Sequence, residues 1–130
     1  MGSLASIGPL LGRVLLSLIF FYSGYQKFAL PGRAASSIAG HGLPYATAGA
    51  YGAAIFELAT ALLLALGLKA RLTALSVVVY LAAVSLLFHW HPALRGDHAQ
   101  MLQLLKNAGI AGGMLFVASH GPGPLSVDRG

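Results

Sequence analysis

Four long apolar runs constrain this chain more than any other feature: about residues 9–28, 46–68, 72–88 and 101–119. Each is about 17 to 23 residues long, enough to cross a hydrocarbon core of ~30 Å as a helix rising 1.5 Å per residue. Backbone in lipid must satisfy its own hydrogen bonds, so such runs are expected as helices. The runs lack the apolar/polar alternation of a membrane β-barrel. The reading is an all-α, integral membrane four-helix bundle, formed by residues 1–130 as a single domain.

Composition supports this. Hydrophobic residues make up 57% of the chain and charged residues 8%, too few charges to coat a soluble domain. The formal net charge of +5 would suggest nucleic acid in a soluble protein. Here the basic residues are scattered and flank apolar runs, so the expected partner is the lipid bilayer and not nucleic acid. There is no cysteine, which excludes disulfides and thiolate-held metal or iron–sulfur centres within the chain. Met1-Gly2 with Ser6 fits a myristoylation pattern only loosely. The run after Arg13 lacks a basic segment before it and a small-residue cleavage site after it, so it reads as a retained helix rather than a signal peptide.

The connections differ in character. Lys69-Ala70-Arg71 is a tight turn, making the second and third spans antiparallel neighbours. The link from Ala29 to Tyr45 carries a stretch, Arg33 to Ala39, expected as a short interfacial helix bounded by glycine and proline. The link from His89 to Gln100 is polar; its histidines read as solvent-facing interfacial groups beside Trp90, without a metal. The tail after Ser119 is rich in glycine and proline and is expected to be irregular. Arg13, Lys69, Arg71 and Arg129 share one side, and Lys27, Arg33 and Arg95 the other. This bias places both termini in the cytoplasm. Gly8, Gly12 and Gly24 on the first helix, and Gly109, Gly112 and Gly113 on the fourth, would let helices approach closely or mark a homo-oligomer seam.

The informative residues are the polar ones inside the runs. An ionised Glu57 in the middle of the second run is costly unless paired, so it should face the bundle interior. Lys106 and Lys27 are the available partners, and by rough depth Lys106 is the better match; Lys106→Ala would then strand a buried carboxylate. Gln103, Lys106 and Asn107 share a helix face, as do Tyr22 with Gln26 and Ser23 with Lys27. Two readings stand side by side: an ion pair that fixes helix register, or a pocket with Glu57 and Lys106 as its catalytic pair. In the second, Tyr22, Ser23, Gln26, Lys27, Gln103 and Asn107 bind a ligand, with Tyr22, Gln26 and Lys27 at the mouth.

Five segments resemble the DoxX family of small four-helix membrane proteins. They are Tyr22-Ser23-Gly24-Tyr25-Gln26-Lys27-Phe28; Gly42-Leu43-Pro44; Glu57 with Gly67 and Arg71; Gln103-Leu104-Leu105-Lys106-Asn107 with Gly112-Gly113; and the closing Gly121-Pro122-Gly123-Pro124-Leu125-Ser126-Val127-Asp128. The resemblance spans nearly the whole chain and implies a multi-pass protein of a bacterial or archaeal inner membrane. Ser23, Lys27, Glu57, Lys106 and Asn107 fall at the family's recurring polar positions, whereas the histidine-rich link departs from the pattern. Some relatives are linked to quinone chemistry, which implies a redox-linked module or subunit that handles a quinone-like amphipathic molecule. Such a chain is at most one subunit of a quinone-linked oxidoreductase, with electrons supplied by a redox partner subunit or by the ligand. The alternative is a non-catalytic membrane anchor or assembly partner of a larger complex.

Overall fold

The computed structural model describes residues 2–128, with side chains from residue 4 onward. In chain order the helices are α1 (Gly2–Ala29), α2 (Pro31–Gly40), α3 (Ala46–Leu66), α4 (Ala70–Val84), α5 (Trp90–Leu94) and α6 (His98–His120), with a π-helical turn, Ser85–His89, joining α4 to α5. Four stretches are long and apolar enough to span a membrane: Leu4–Ala29, Ala46–Leu66, Ala70–Leu94 and His98–His120. Among the described residues there is no β-strand.

Two boundaries differ from the sequence reading. The first helix continues upstream through Pro9. A proline is tolerated there because apolar neighbours hold the helix and membrane helices re-satisfy the freed carbonyl locally. The third span does not stop at Phe88 but runs on to Leu94, so His89, Trp90 and His91 are helical. Pro92 would clash with the carbonyl of Phe88 one turn earlier; the π turn just before it widens the helix at that point. Asp97 is the N-cap of helix α6, its carboxylate accepting from the backbone N–H of Gln100 at 3.2 Å.

Helix α1 packs along α3, α4 along α6, and α2 lies against α3. The α1–α3 crossing depends on Gly24: a Cβ there would lie 2.9 Å from Leu58 Cγ and 3.1 Å from the Ala54 carbonyl oxygen. Gly113 plays the same part between α6 and Leu16 of α1. Of the other glycines on the two helices, Gly12, Gly109 and Gly112 face open space and Gly8 meets only Leu4 of its own helix. Phe20, Ala61, Leu64, Ala74, Val77, Leu81 and Met114 form the buried apolar core, drawn from all four spans.

At the end of the bundle where the α3–α4 turn lies, the tail is irregular in backbone yet tied at many points. Arg13 is 1% exposed. Its Nε donates to the Pro122 carbonyl at 2.9 Å, Nη1 to Leu64 and Ala65 at 2.9 and 3.0 Å, and Nη2 to Leu125. One guanidinium thus satisfies the last carbonyls of α3 and holds down the tail. Gly67 ends α3 with φ 69°, and a Cβ there would sit 2.3 Å from Ser126 Cβ, so both conformation and space require glycine. Val127 and Asp128 N–H groups donate to the carbonyls of Leu66 and Gly67 at 2.9 Å.

The strap ends on Asp128, whose two oxygens accept from the N–H groups of Lys69 and Ala70, each at 2.8 Å, at the start of α4. The N–H of Ala70, then that of Lys69, holds this carboxyl below its ordinary value, helped by the charges of Lys69 and Arg13. Because the folded value is depressed, the cap contributes fully above the unfolded value of about 3.8 and is lost as pH falls through the folded one. Carboxyl NMR of the detergent-extracted protein should show Asp128 titrating below an unstructured aspartate. A midpoint at or above the ordinary value would mean that the strap is not formed in solution.

Candidate functional site

At the α2 end of the bundle, the helices enclose a part-open cavity of about 660 Å³. Its walls are mostly apolar: Ile19 and Phe20 from α1, Ala53 from α3, Leu81 and Val84 from α4, Ile110 from α6. Helix α2 and the segment after it form the roof, through Ala34, Ser37, Ile38, Leu43 and Pro44. The roof is pinned twice. Ile38 packs onto α3, where a Cβ on Gly49 would lie 3.1 Å from its Cδ1, and the His41 ring meets Phe88 edge-on at 4.7 Å.

Glu57 is 4% exposed and lies in the wall of this cavity. Both its oxygens are engaged. The Tyr80 hydroxyl donates to Oε1 at 2.9 Å, Ser23 Oγ to Oε2 at 3.0 Å, and Lys27 Nζ to each oxygen at 3.1 Å. Lys27 also donates to Ser23 Oγ at 2.7 Å. A carboxylate with donors on every side satisfies the condition for burying a charge in an apolar bundle.

The expected Glu57–Lys106 pair is therefore corrected: the carboxylate pairs with Lys27, the one ion pair among the described residues. Two physical effects decide this. Gly24 brings α1 against α3, whereas α6 stands across the cavity. Side chains also lean toward the N-terminus of their own helix. On antiparallel α1 and α3, Lys27 leans inward and Glu57 outward, which closes the difference in depth that had favoured Lys106.

The other sequence-selected residues divide. Ser23, Lys27, Gln103, Lys106 and Asn107 all line the cavity with Glu57. Tyr22 and Gln26 do not; they bond each other at 2.8 Å, and Tyr22 is 64% exposed on the outside of α1. They sit on the helix face away from Ser23 and Lys27, so matching depth does not bring them to the mouth. Asn107 is buried and donates to Ser85 Oγ at 3.1 Å, tying α6 to the π turn. Lys106 makes no hydrogen bond or ion pair among the described residues.

The histidine link is corrected in part. His91 and His98 are exposed, but His89 is partly buried, lines the cavity and shares a hydrogen bond with Gln100. Among the described residues, no three His, Asp or Glu side chains form a group that could hold a metal ion. Sequence reasoning missed Tyr80, Ser85 and Arg13. The signal for Tyr80 was present: it is the one tyrosine in a charge-free run.

These features define a polytopic, all-helical membrane protein with a charged cluster set into an apolar cavity. The DoxX family model matches residues 8–90, and the chain belongs to that family. A SURF4 family model also matches, over residues 53–130, so Glu57 and Tyr80 lie within both matched regions. The chain is 30% identical to the inner membrane protein YphA of Escherichia coli (strain K12), over 92% of this chain and 87% of YphA. It is 29% identical to the inner membrane protein YqjF of the same organism, over 99% of this chain and 95% of YqjF. No solved structure matches.

Proposed function

We propose that this is an inner-membrane protein, like its two relatives, whose cavity binds an amphipathic small molecule with an oxygen-bearing head, of the quinone-like class. The single observation that carries the reading is the setting of Glu57, Lys27, Ser23 and Tyr80 in one wall of an otherwise apolar cavity of about 660 Å³. A few convergent polar groups in an apolar cavity of this size are how small-molecule sites fix a ligand's orientation. Lys106 would donate to a head-group oxygen, and Glu57, held by the Lys27 ammonium and the Tyr80 hydroxyl, would exchange a proton with it. In this role the chain is the quinone-handling subunit of a redox-linked assembly, with the electrons supplied by a partner.

Calorimetric titration of the detergent-extracted protein with a short-chain benzoquinone analogue tests the proposal. Saturable binding is expected, weakened roughly tenfold or more in Lys106→Met and Glu57→Gln and weakened also by Ala53→Phe, which projects a ring into the cavity. Binding unchanged in all three variants would show that the polar cluster only locks helix register.

A further inference from the structure

The charge balance of the cavity narrows the ligand class further; this inference rests on the cavity being a binding site. The titratable groups that line it are Lys27, Glu57, Tyr80, His89 and Lys106. Lys27 and Glu57 neutralise each other directly. The Tyr80 hydroxyl donates to Glu57 and adds no charge of its own. His89 is engaged with Gln100. Lys106 is left as one ammonium facing the cavity without a counter-charge among the described residues. Its Cα lies about 12 Å into α6 at 1.5 Å per residue, within a span 23 residues long. Lys106 is exposed on the cavity side of α6, so a head group entering the cavity reaches its ammonium directly, and a charge-assisted contact favours an anion over a neutral head.

The cavity also offers a route for an apolar tail. Helices α1 and α6 barely touch; their contact lies at Leu16 and Gly113, nearer the tail end of the bundle. Toward the α2 end, Ile19 and Phe20 of α1 and Ile110 of α6 give the part-open cavity an apolar wall between the two helices. We infer that the site takes a single-tailed amphiphile with a monoanionic oxygen head, a carboxylate or a phenolate, its head on Lys106 and its tail along this wall between α1 and α6. The neutral Glu57–Lys27 pair then orients the head through hydrogen bonding, and Lys106 supplies the charge selection.

The test uses the full chain in nanodiscs of a zwitterionic lipid and two matched probe pairs. Dodecanoate is compared with methyl dodecanoate, and an alkyl nitrophenolate with its methyl ether. At least one anion is expected to bind roughly tenfold or more tightly than its neutral twin, and which one does so identifies the head group. Lys106→Met and Lys106→Gln should erase that preference, and Lys106→Arg should keep it, with elution profile and helicity unchanged in all three. Neutral twins that bind as tightly as the anions, or a preference that survives Lys106→Met, would overturn the inference while leaving the cavity as a neutral-ligand site. Failure of all four probes and of the quinone analogue to bind saturably would overturn both.

Discussion

Replacing Arg13 with methionine is expected to destabilise this protein more than any other single change on the tail side of the bundle. The guanidinium is 1% exposed and donates to four carbonyls, those of Leu64, Ala65, Pro122 and Leu125. Methionine fills much of the volume but supplies no donor, so the buried Pro122 carbonyl and the part-buried Ala65 and Leu125 carbonyls lose their partner, while Leu64 keeps only the N–H of Gly67. Each unsatisfied buried acceptor costs about 1–3 kcal/mol, and these costs are not additive, so a total loss of roughly 3–5 kcal/mol is the reasonable scale. Arg13→Lys should recover only part of it, because an ammonium cannot reproduce the planar fork that reaches the end of α3 and two points of the tail at once. Thermal unfolding in detergent, with limited carboxypeptidase digestion to report release of the tail, checks this. A methionine variant that melts like the parent and keeps its tail protected would show that the latch contributes nothing.

The second large effect separates the two lysines. Lys27→Met removes the ion-pair partner from a Glu57 that is 4% exposed and leaves it with only Ser23 and Tyr80. Breaking a buried pair from one side leaves an uncompensated charge; with the Lys27 side chain 27% exposed, a loss of about 2–3 kcal/mol is expected. Glu57→Gln should cost less, since a neutral amide still accepts hydrogen bonds. Adding Glu57→Gln to Lys27→Met should restore part of what the lysine variant lost, the mark of direct coupling. Lys106→Met should change stability by less than about 0.5 kcal/mol. The double-mutant cycle, measured by thermal unfolding, decides the matter. If Lys106→Met proved the more damaging variant, Glu57 would be paired across the cavity and the arrangement of α1 on α3 would be wrong.

Much of this was legible in the sequence for a simple reason. Span length, backbone self-sufficiency in lipid and the cost of intramembrane charge are local or one-dimensional constraints, and they mark Glu57, Lys27, Ser23, Lys106, Gln103 and Asn107 as inward-facing before any fold is known. What depth cannot supply is azimuth. Tyr22 and Gln26 have depths close to those of Ser23 and Lys27, yet they lie on the other face of α1. Nor can depth say which helices touch: the Glu57 partner was decided by Gly24, which sets α1 against α3.

The sequence by itself determined that the chain forms four membrane-spanning helices and that a small set of polar residues must turn inward, because lipid leaves an apolar run of that length no other stable conformation and no place for an unpaired charge. The tertiary structure decided the rest. Lys27, and not Lys106, neutralises Glu57; Tyr80 and Ser85 complete the polar contacts; and Arg13, which reads in the sequence as an ordinary flanking charge, is the buried latch of the tail. Each of these depends on contacts between segments far apart in the chain, set by close approach at particular glycines and by the direction in which side chains lean, and no pattern within one helix encodes them.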